Sequence, residues 1–358
     1  MKLSYKIENQ IHNIYIKNRI SNSILTEIKK LKSDQKILLV YDEKINPKII
    51  KKILINLKIS GCKIFSSKLK SNKRNKNQKL LFSIIDKLIA NNFSKKSIVI
   101  SCGGGVISDV CGLAASLYLR GMYYFNIPTT MTAVVDSCIG GKTAINYDNI
   151  INCIGNYYHA NSVFISEDII KDIPEREYIA GIPEILKCGI IKKNRIIKIL
   201  KKNKKDIINR NFNILKGLLS ETLKTKINFF INDIKEKGSR LNLNFGHTFA
   251  HAIEMATANF KDEYLRHGEA VGIGMLCEIY FSITCFSTSS TKSSIRSIVK
   301  PNSSAFLSLI LRDLSPRPDE FSEFFFISKG HLQAHQLRSF AHITTLLLDL
   351  YRLQIICR

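Results

Sequence analysis

The sequence predicts a two-part chain: an α/β layer over residues 1–160 and a mainly helical part over residues 161–358. Three observations predict it. Short β-branched and aliphatic runs alternate with helix-period segments in the first part, as in a parallel sheet with crossover helices. One of those runs ends in three consecutive glycines that open a small-residue apolar segment. From about Asp168 onward helix-period patterning prevails, broken at Pro174 and Pro183.

The first strand signal is Lys36–Asp42, an aliphatic run ending in an acid, and the second is Ser97–Ser101. After it come Gly103, Gly104 and Gly105, then Val106, Ile107, Ser108 and Asp109, which read as a strand, a glycine turn and a helix N-terminus. Such a turn lets backbone N–H groups approach a phosphate, with the helix dipole adding to the attraction. It equally suits a tight strand-to-helix turn at positive φ, because the full G-x-G-x-x-G spacing is missing. Downstream, basic amphipathic stretches run from Ile191 to Phe230. Beyond about Phe281 lysine gives way to arginine and serine clusters appear, so residues 281–358 read as an atypical tail, degenerate or frame-shifted.

Composition narrows the classes. A hydrophobic fraction of 45% over 358 residues is that of a folded chain. Lys+Arg 54 against Asp+Glu 29 gives +25, a balance that suits nucleic acid, anionic membrane or phosphorylated small molecules. The abundance of Lys, Asn and Ile is that of A/T-biased coding, so no specific nucleic-acid partner is expected. No apolar stretch reaches bilayer-spanning length and the first residues carry charges every few positions, which reads as cytoplasmic. The nine cysteines never form C-x-x-C, and neither disulfides nor a thiolate zinc site is indicated.

Three further groups can carry chemistry. His247 and His251 stand four apart on one helical face, with His267-Gly268-Glu269 downstream, so two or three imidazoles could converge on one cation. Two structural histidines on a helix are the plainer reading, since no Glu follows His247 as in H-E-x-x-H. Glu184 and Lys187 sit three apart after Pro183, a spacing that an ordinary surface ion pair also satisfies. Asp136 to Asn146, with Gly140-Gly141-Lys142-Thr143, reads as a polar glycine-rich loop suited to anions but lacking Walker A spacing.

Taken in order, Gly103-Gly104-Gly105-Val106-x-x-Asp109, Arg120-Gly121, Ile127-Pro128-Thr129-Thr130, Asp136-Ser137-x-x-Gly140-Gly141-Lys142-Thr143, Glu184-x-x-Lys187, Asn244-Phe245-Gly246-His247-Thr248 and His267-Gly268-Glu269 resemble the 3-dehydroquinate synthase family, from roughly residue 36 to 280. The resemblance implies a Rossmann-like nucleotide-binding domain followed by a helical metal- and substrate-binding domain. It implies a cyclase that converts a phosphorylated seven-carbon sugar acid into the first carbocycle of the shikimate pathway, using NAD and zinc or cobalt, as a homodimer.

By the same resemblance the metal ligands are Glu184, His247 and His267. Asp136, Lys142, Asn152, Lys187, Lys226, Arg240, Asn244 and His251 line the substrate pocket, and Arg120 reaches the phosphate from a neighbouring subunit. The dinucleotide positions are Asp42, Lys76, Gly104, Gly105, Val106, Ile107, Ser108, Asp109, Thr129, Thr130, Lys142, Ile151, Ile169, Ile170, Lys171 and Asp172. In the implied reaction NAD oxidises one hydroxyl transiently, phosphate is eliminated, the hydride returns, and an intramolecular aldol step closes the ring.

The chain departs from the family pattern at three places. The family's Asp-Gly-Glu-x-x-Lys aligns with Ser71-Asn72-Lys73-Arg74-Asn75-Lys76, so an acceptor for ribose hydroxyls has become a cation and weaker or altered NAD binding follows. The family's Gly-Lys-Asn reads Ile150-Ile151-Asn152. Its Asp-Lys-Lys has only Leu311-Arg312-Asp313-Leu314-Ser315 as a counterpart. A related sugar-phosphate cyclase or a metal-dependent polyol dehydrogenase would share the glycine turn and metal triad; Asn152, Lys187, Arg240 and Asn244 favour the synthase. A non-catalytic basic relic would instead bind DNA with steep salt dependence and hold no metal.

Overall fold

The computed structural model describes residues 1–31, 36–148, 150–192, 194–257 and 265–287. The Leu311–Ser315 segment, and the atypical tail past Ser287, lie outside the described residues. Contacts divide the chain into two compact units, Met1–Asn244 with Arg266–Glu269, and Phe245–Leu265 with the chain from Ala270 on.

The first unit is built on a seven-stranded sheet. Its strands are β1 (Lys2–Ile7), β2 (Gln10–Lys17), β3 (Lys36–Asp42), β4 (Lys63–Leu69), β5 (Ile98–Gly103), β6 (Tyr123–Pro128) and, numbered after the β7–β8 hairpin, β9 (Ser162–Ser166). The order is β1-β2-β9-β6-β5-β3-β4, parallel throughout except for the antiparallel β1–β2 pair. The predicted parallel layer is present, with an antiparallel edge added by the N-terminal hairpin. Helices α1 (Ser21–Lys30), α2 (Pro47–Lys58), α3 (Gln78–Ala90) and α4 (Gly105–Leu117) connect these strands, and α5 (Glu167–Asp172) follows β9.

Both sheet faces are covered, which is why the central strands read as unbroken apolar runs. Ile37, Leu39, Ile98, Ile100, Phe125 and Phe164 pack with Ile24 and Ile28 of α1, Ile53 and Leu57 of α2, and Ile169 of α5. On the opposite face Tyr124 donates from its hydroxyl to the Ser108 carbonyl of α4 at 3.0 Å, and lies 2.9 Å from Ser101 Oγ. Asn46 and Asn77 cap α2 and α3 by accepting from the first-turn amides.

The stretch read as a glycine-rich loop is more ordered than that. Ala133–Ser137 forms one wide π turn, with the Cys138 N–H on the Ala133 carbonyl at 2.9 Å. After the positive-φ pair Gly140 and Gly141 comes β7 (Lys142–Tyr147), hairpinned to β8 (Ile150–Tyr157). Thr143 and Ile145 alternate inward on β7, a two-residue period that the surrounding polar residues hid. A Cβ on Gly112 of α4 would meet Thr143 Cγ2 at 2.4 Å, so the hairpin rests directly on the helix backbone. Every residue of β8 is exposed.

The rest of the first unit is helical: α6 (Glu175–Ile179), α7 (Ile182–Ile191), α8 (Asn194–Lys202), α9 (Lys204–Ile208) and α10 (Phe212–Phe230). In α8 the buried Ile196, Ile197 and Leu200 form the inner stripe and the lysines the outer, as the basic amphipathic pattern predicts. In the second unit α11 (His247–Thr257) and the body of α12 (His267–Ser287) meet closely. A Cβ on Gly274 would fall 2.0 Å from the Gly246 carbonyl oxygen. Among the described residues no helix is long and apolar enough to cross a membrane.

Candidate active site

In the sheet β3 lies between β4 and β5, so the chain leaves β3 toward one edge and later proceeds from β5 toward the other. The carboxyl ends of β3 and β5 therefore flank a topological switch point, where open α/β sheets bind their ligands. Asp42 ends β3 and Gly103 ends β5. Gly104 caps α4 in an extended conformation, and the first-turn amides from Gly105 onward have no partner inside the helix. None of Gly103, Gly104 and Gly105 has positive φ, so the turn-strain reading of the triple glycine is corrected. What the glycines supply is close approach. A Cβ on Gly104 would stand 3.1 Å from Thr130 Cγ2, and one on Gly103 2.6 Å from Ile107 Cβ. Thr129 N–H donates to the Gly103 carbonyl at 2.9 Å.

The other residues that the resemblance assigns to a dinucleotide lie on several elements. Lys76 donates to Asp109 Oδ2 at 2.5 Å and to Asn152 Oδ1, tying the turn after β4 to α4 and β8. Burial lifts the Asp109 carboxyl above its usual range, against the pull of Lys76. Ile107 and Ser108 are buried in α4, and Val106 is half-buried. Ile169 and Ile170 are buried. Lys171 pairs with Glu167 at 2.7 Å, and Asp172 accepts from Asn46 at 2.9 Å. Ile151 is 62% exposed on β8.

A second group of charges is buried. Pro183 sits in the first turn of α7, and Glu184 and Lys187 follow on one face at 1% and 2% exposure, 2.6 Å apart. The surface-pair reading of this spacing is thereby corrected. Asp136, on the π turn, accepts from Lys226 of α10 through both its carboxylate and its backbone carbonyl. Burial pushes the Asp136 carboxyl up, but Lys226 and Lys187 outweigh it and hold it below its usual value. Burial pulls Lys187 down, yet Glu184 and Asp136 more than compensate and raise it. Asp136 and Lys187 are thus each held toward the ionised form by neighbours of opposite charge.

His267 enters the same group, its Nε2 3.6 Å from Glu184 Oε1. Its position follows from a clamp at the start of α12. Arg176 makes a fork to both oxygens of Glu269 at 2.8 and 2.9 Å, the Arg266 N–H donates to Glu269, and Arg266 pairs with Glu177 at 2.6 Å. Gly268 allows the approach, since a Cβ there would fall 1.7 Å from the Ala180 carbonyl oxygen.

The Gly140–Gly141 turn is held from two sides. Arg240 donates to the Gly140 carbonyl at 2.8 Å and to the Ile234 carbonyl at 2.7 Å, and burial lowers its pKa. A Cβ on Gly141 would meet the His159 ring at 2.6 Å. Lys142 pairs with Glu236, whose other oxygen accepts from Asn244 at 3.0 Å. Arg120 is exposed at φ +61 beside Gly121.

Glu236 and His159 were not singled out from the sequence. Glu236 lies in a loop with no local signal. His159 was hidden because its partners, the Tyr5 hydroxyl at 3.4 Å and the His12 ring at 5.4 Å, are about 150 residues away. Burial, then His12 and Arg240, depress His159 to about 3, so its ring is neutral.

In the second unit His247 opens α11, with Nδ1 3.3 Å from the Phe245 carbonyl. A proton on Nδ1 directed at that carbonyl makes Nε2 the acceptor nitrogen of the ring. His251 is exposed one turn on, its ring 5.6 Å from that of His247, as the i, i+4 spacing predicts. A buried carboxylate beside an imidazole is a donor set that suits zinc or cobalt, and the cradle of glycines at the β5–α4 turn suits a pyrophosphate.

Residues 66–180 match the family described as 3-dehydroquinate synthase N-terminal, and residues 181–310 the family described as 3-dehydroquinate synthase C-terminal. The chain is 36% identical over 278 residues to the 3-dehydroquinate synthase of Prochlorococcus marinus subsp. pastoris, covering 76% of each chain. It is 43% identical over 209 residues to that of Dictyoglomus thermophilum, covering 58% of each. Among solved structures it is similar to 2-deoxy-scyllo-inosose synthase complexed with carbaglucose-6-phosphate, NAD+ and Co2+. There the TM-score is 0.68 at 22% identity, over 77% of this chain and 75% of that one. It is also similar to 2-epi-5-epi-valiolone synthase from Streptomyces hygroscopicus subsp. jinggangensis 5008 with NAD+ and Zn2+ bound. The TM-score is 0.69 at 21% identity, over 97% and 88% of the two chains. These structural likenesses establish the fold, and the sequence matches go further: the chain belongs to the 3-dehydroquinate synthase family.

Proposed function

We propose that the chain converts 3-deoxy-D-arabino-heptulosonate 7-phosphate into 3-dehydroquinate and phosphate, with NAD and a divalent metal, zinc or cobalt, as resident groups. The observation that carries this reading is the charge array built on the buried Glu184 and Lys187, with Lys226, the half-buried Asp136 and His267 around them. Charged groups gathered about a buried carboxylate and a buried ammonium are costly to a fold and suit a highly charged, polyhydroxylated ligand.

Glu184 and His267, with His247 as the family motif assigns it, would hold the metal. Once bound there, a divalent metal would supply polarisation of the substrate's vicinal hydroxyls and a dinucleotide would supply transient hydride acceptance. Lys187 is kept protonated by its two carboxylate neighbours, so it serves as a fixed positive charge against developing oxyanions rather than as a proton acceptor. Arg240, Lys142 and Lys226 supply cations for carboxylate and phosphate. Asn152, Asn244 and His251 supply amides and an imidazole for hydroxyls, and Asp136 orients Lys226. The α/β part, residues 1–160 with β9 completing its sheet, holds the dinucleotide, and the helical part the metal and substrate.

A second copy of the chain completes the active form, with Arg120 reaching the neighbour's phosphate. Support comes from β8, paired with β7 along one edge in a two-stranded sheet, with Ile150, Ile151, Ile154 and Tyr157 all exposed, a surface that monomers avoid. Sedimentation is expected to give a dimer that Ile150→Lys shifts toward monomer. A wild-type monomer at micromolar concentration would sink the dimer.

The decisive assay follows phosphate release from the heptulosonate phosphate. Release that requires added NAD and metal, with 3-dehydroquinate as product, is the expected outcome. A folded protein that holds metal yet releases no phosphate from this substrate overturns the reading.

A further inference from the structure

Residues 140–142 are gripped at two points, and both grips come from the loop that follows α10. Arg240 donates to the Gly140 carbonyl at 2.8 Å, and Glu236 pairs with Lys142 while its other oxygen accepts from Asn244. Arg240 is buried, its guanidinium set against the rings of Tyr157 and Phe230 and donating back to the Ile234 carbonyl of its own loop at 2.7 Å. Glu236 holds a left-handed backbone at φ +58. A residue with a side chain keeps that conformation only where its surroundings impose it.

The group that imposes it is Asp233. Its N–H donates to the Phe230 carbonyl at 3.1 Å, which ties it to the end of α10, the helix that carries Lys226. Its carboxylate then accepts three backbone N–H groups, that of Lys237 through Oδ1 at 2.8 Å and those of Gly238 and Arg240 through Oδ2 at 2.8 and 2.9 Å. Residues 234–240 are thereby wound around one anion. The Lys237 and Gly238 amides lie directly beyond Glu236, and drawing both toward Asp233 turns the Glu236 backbone over, its own N–H resting on the Asp233 carbonyl at 3.3 Å. The Arg240 amide is held in the same way in the short 3-10 turn Ser239–Asn244. The Lys237 amide, then those of Arg240 and Gly238, keep the Asp233 carboxyl below its usual range, so it is an anion at neutral pH.

We propose that Asp233 is a positioning residue for substrate binding, one carboxylate that sets Glu236 and Arg240 and, through them, Lys142. This rests on the substrate reading of Lys142 and Arg240 and deepens it. Asp233 touches no substrate itself. Without it both grips would have to form anew as the substrate binds, and that ordering lowers affinity. The glycine turn between β5 and α4 lies on other elements, so dinucleotide binding is independent of it.

Asp233→Ala and Asp233→Asn test it in the full-length, metal-loaded protein, with metal content measured in each sample and circular dichroism as the folding control. The heptulosonate phosphate is titrated calorimetrically with NADH present, which fills the dinucleotide site and cannot accept a hydride. Binding is expected to weaken about tenfold in Asp233→Ala and about threefold in Asp233→Asn, which keeps one acceptor oxygen. In turnover the same factors are expected in KM, with kcat within about twofold of wild type, a split that general loss of structure would not produce. NADH affinity is expected to be unchanged. Equal substrate binding by wild type and Asp233→Ala, or a loss that falls equally on kcat or on NADH affinity, overturns the positioning role and leaves the substrate reading standing. A folded, metal-loaded wild type that binds no heptulosonate phosphate overturns the two together.

Discussion

Glu184→Gln is expected to strip the metal and to lower phosphate release by about three orders of magnitude, ~4 kcal/mol of transition-state stabilisation. Glutamine keeps the shape and removes the charge, so the effect isolates the carboxylate. That carboxylate lies 2.6 Å from Lys187 Nζ and 3.6 Å from His267 Nε2. Losing it leaves the Lys187 ammonium buried with only Asp136 to compensate, and an uncompensated buried charge costs roughly 3–5 kcal/mol of stability. Stability and metal binding must therefore be read separately. Adding Lys187→Met is expected to recover most of the melting temperature while metal content stays at background by elemental analysis. A Glu184→Gln protein that keeps its metal would mean that this residue is not a ligand.

Gly268→Ala should be nearly as severe although alanine adds one methyl group. The added Cβ would fall 1.7 Å from the Ala180 carbonyl oxygen, a backbone atom that cannot swing aside. The start of α12 must then retreat, and His267, the preceding residue, moves with it. The Arg176–Glu269 fork resists that retreat, so strain concentrates at the imidazole. Displacing a ligand through its support typically costs 10–100-fold in metal affinity, and about that loss is expected here, with turnover falling in proportion. Metal titration against a competing chelator measures it directly. Unchanged affinity would show that the α12 start has slack which the 1.7 Å approach does not suggest.

Which parts were legible from sequence follows from how local each signal is. The strand–glycine–helix unit was readable because its three pieces are contiguous and apolar. Glu184 with Lys187, and His247 with His251, were readable as helical spacings, but their burial was not. Nothing in three-residue spacing says whether a helix face meets water, and the Glu184–Lys187 face is buried beside Asp136 of another element. The β7 strand was hidden by Gly140 and Gly141 before it and by its alternating polar residues, and was read as loop. The β1–β2 hairpin gave no strong run because its pairing with β9, about 150 residues on, decides its fate. Glu236 and His159 are placed by tertiary packing alone, and no local pattern announces them. The triple glycine was read for the right place and partly for the wrong reason, since its role is tight packing against Thr130 and Ile107 rather than positive φ.

The wide turn at Ala133–Ser137 carries one residue more than a helical circuit needs. Removing that residue would let the segment wind as a regular helix, and regular winding is what the backbone prefers. It would also rotate everything beyond it by about 100°, and Asp136 would no longer meet Lys226. Within these five residues the change that relaxes the backbone is the change that disarms the pocket. Any programme that selects this protein for heat resistance alone is therefore drawn toward a deletion that assays of folding would reward and assays of turnover would reject.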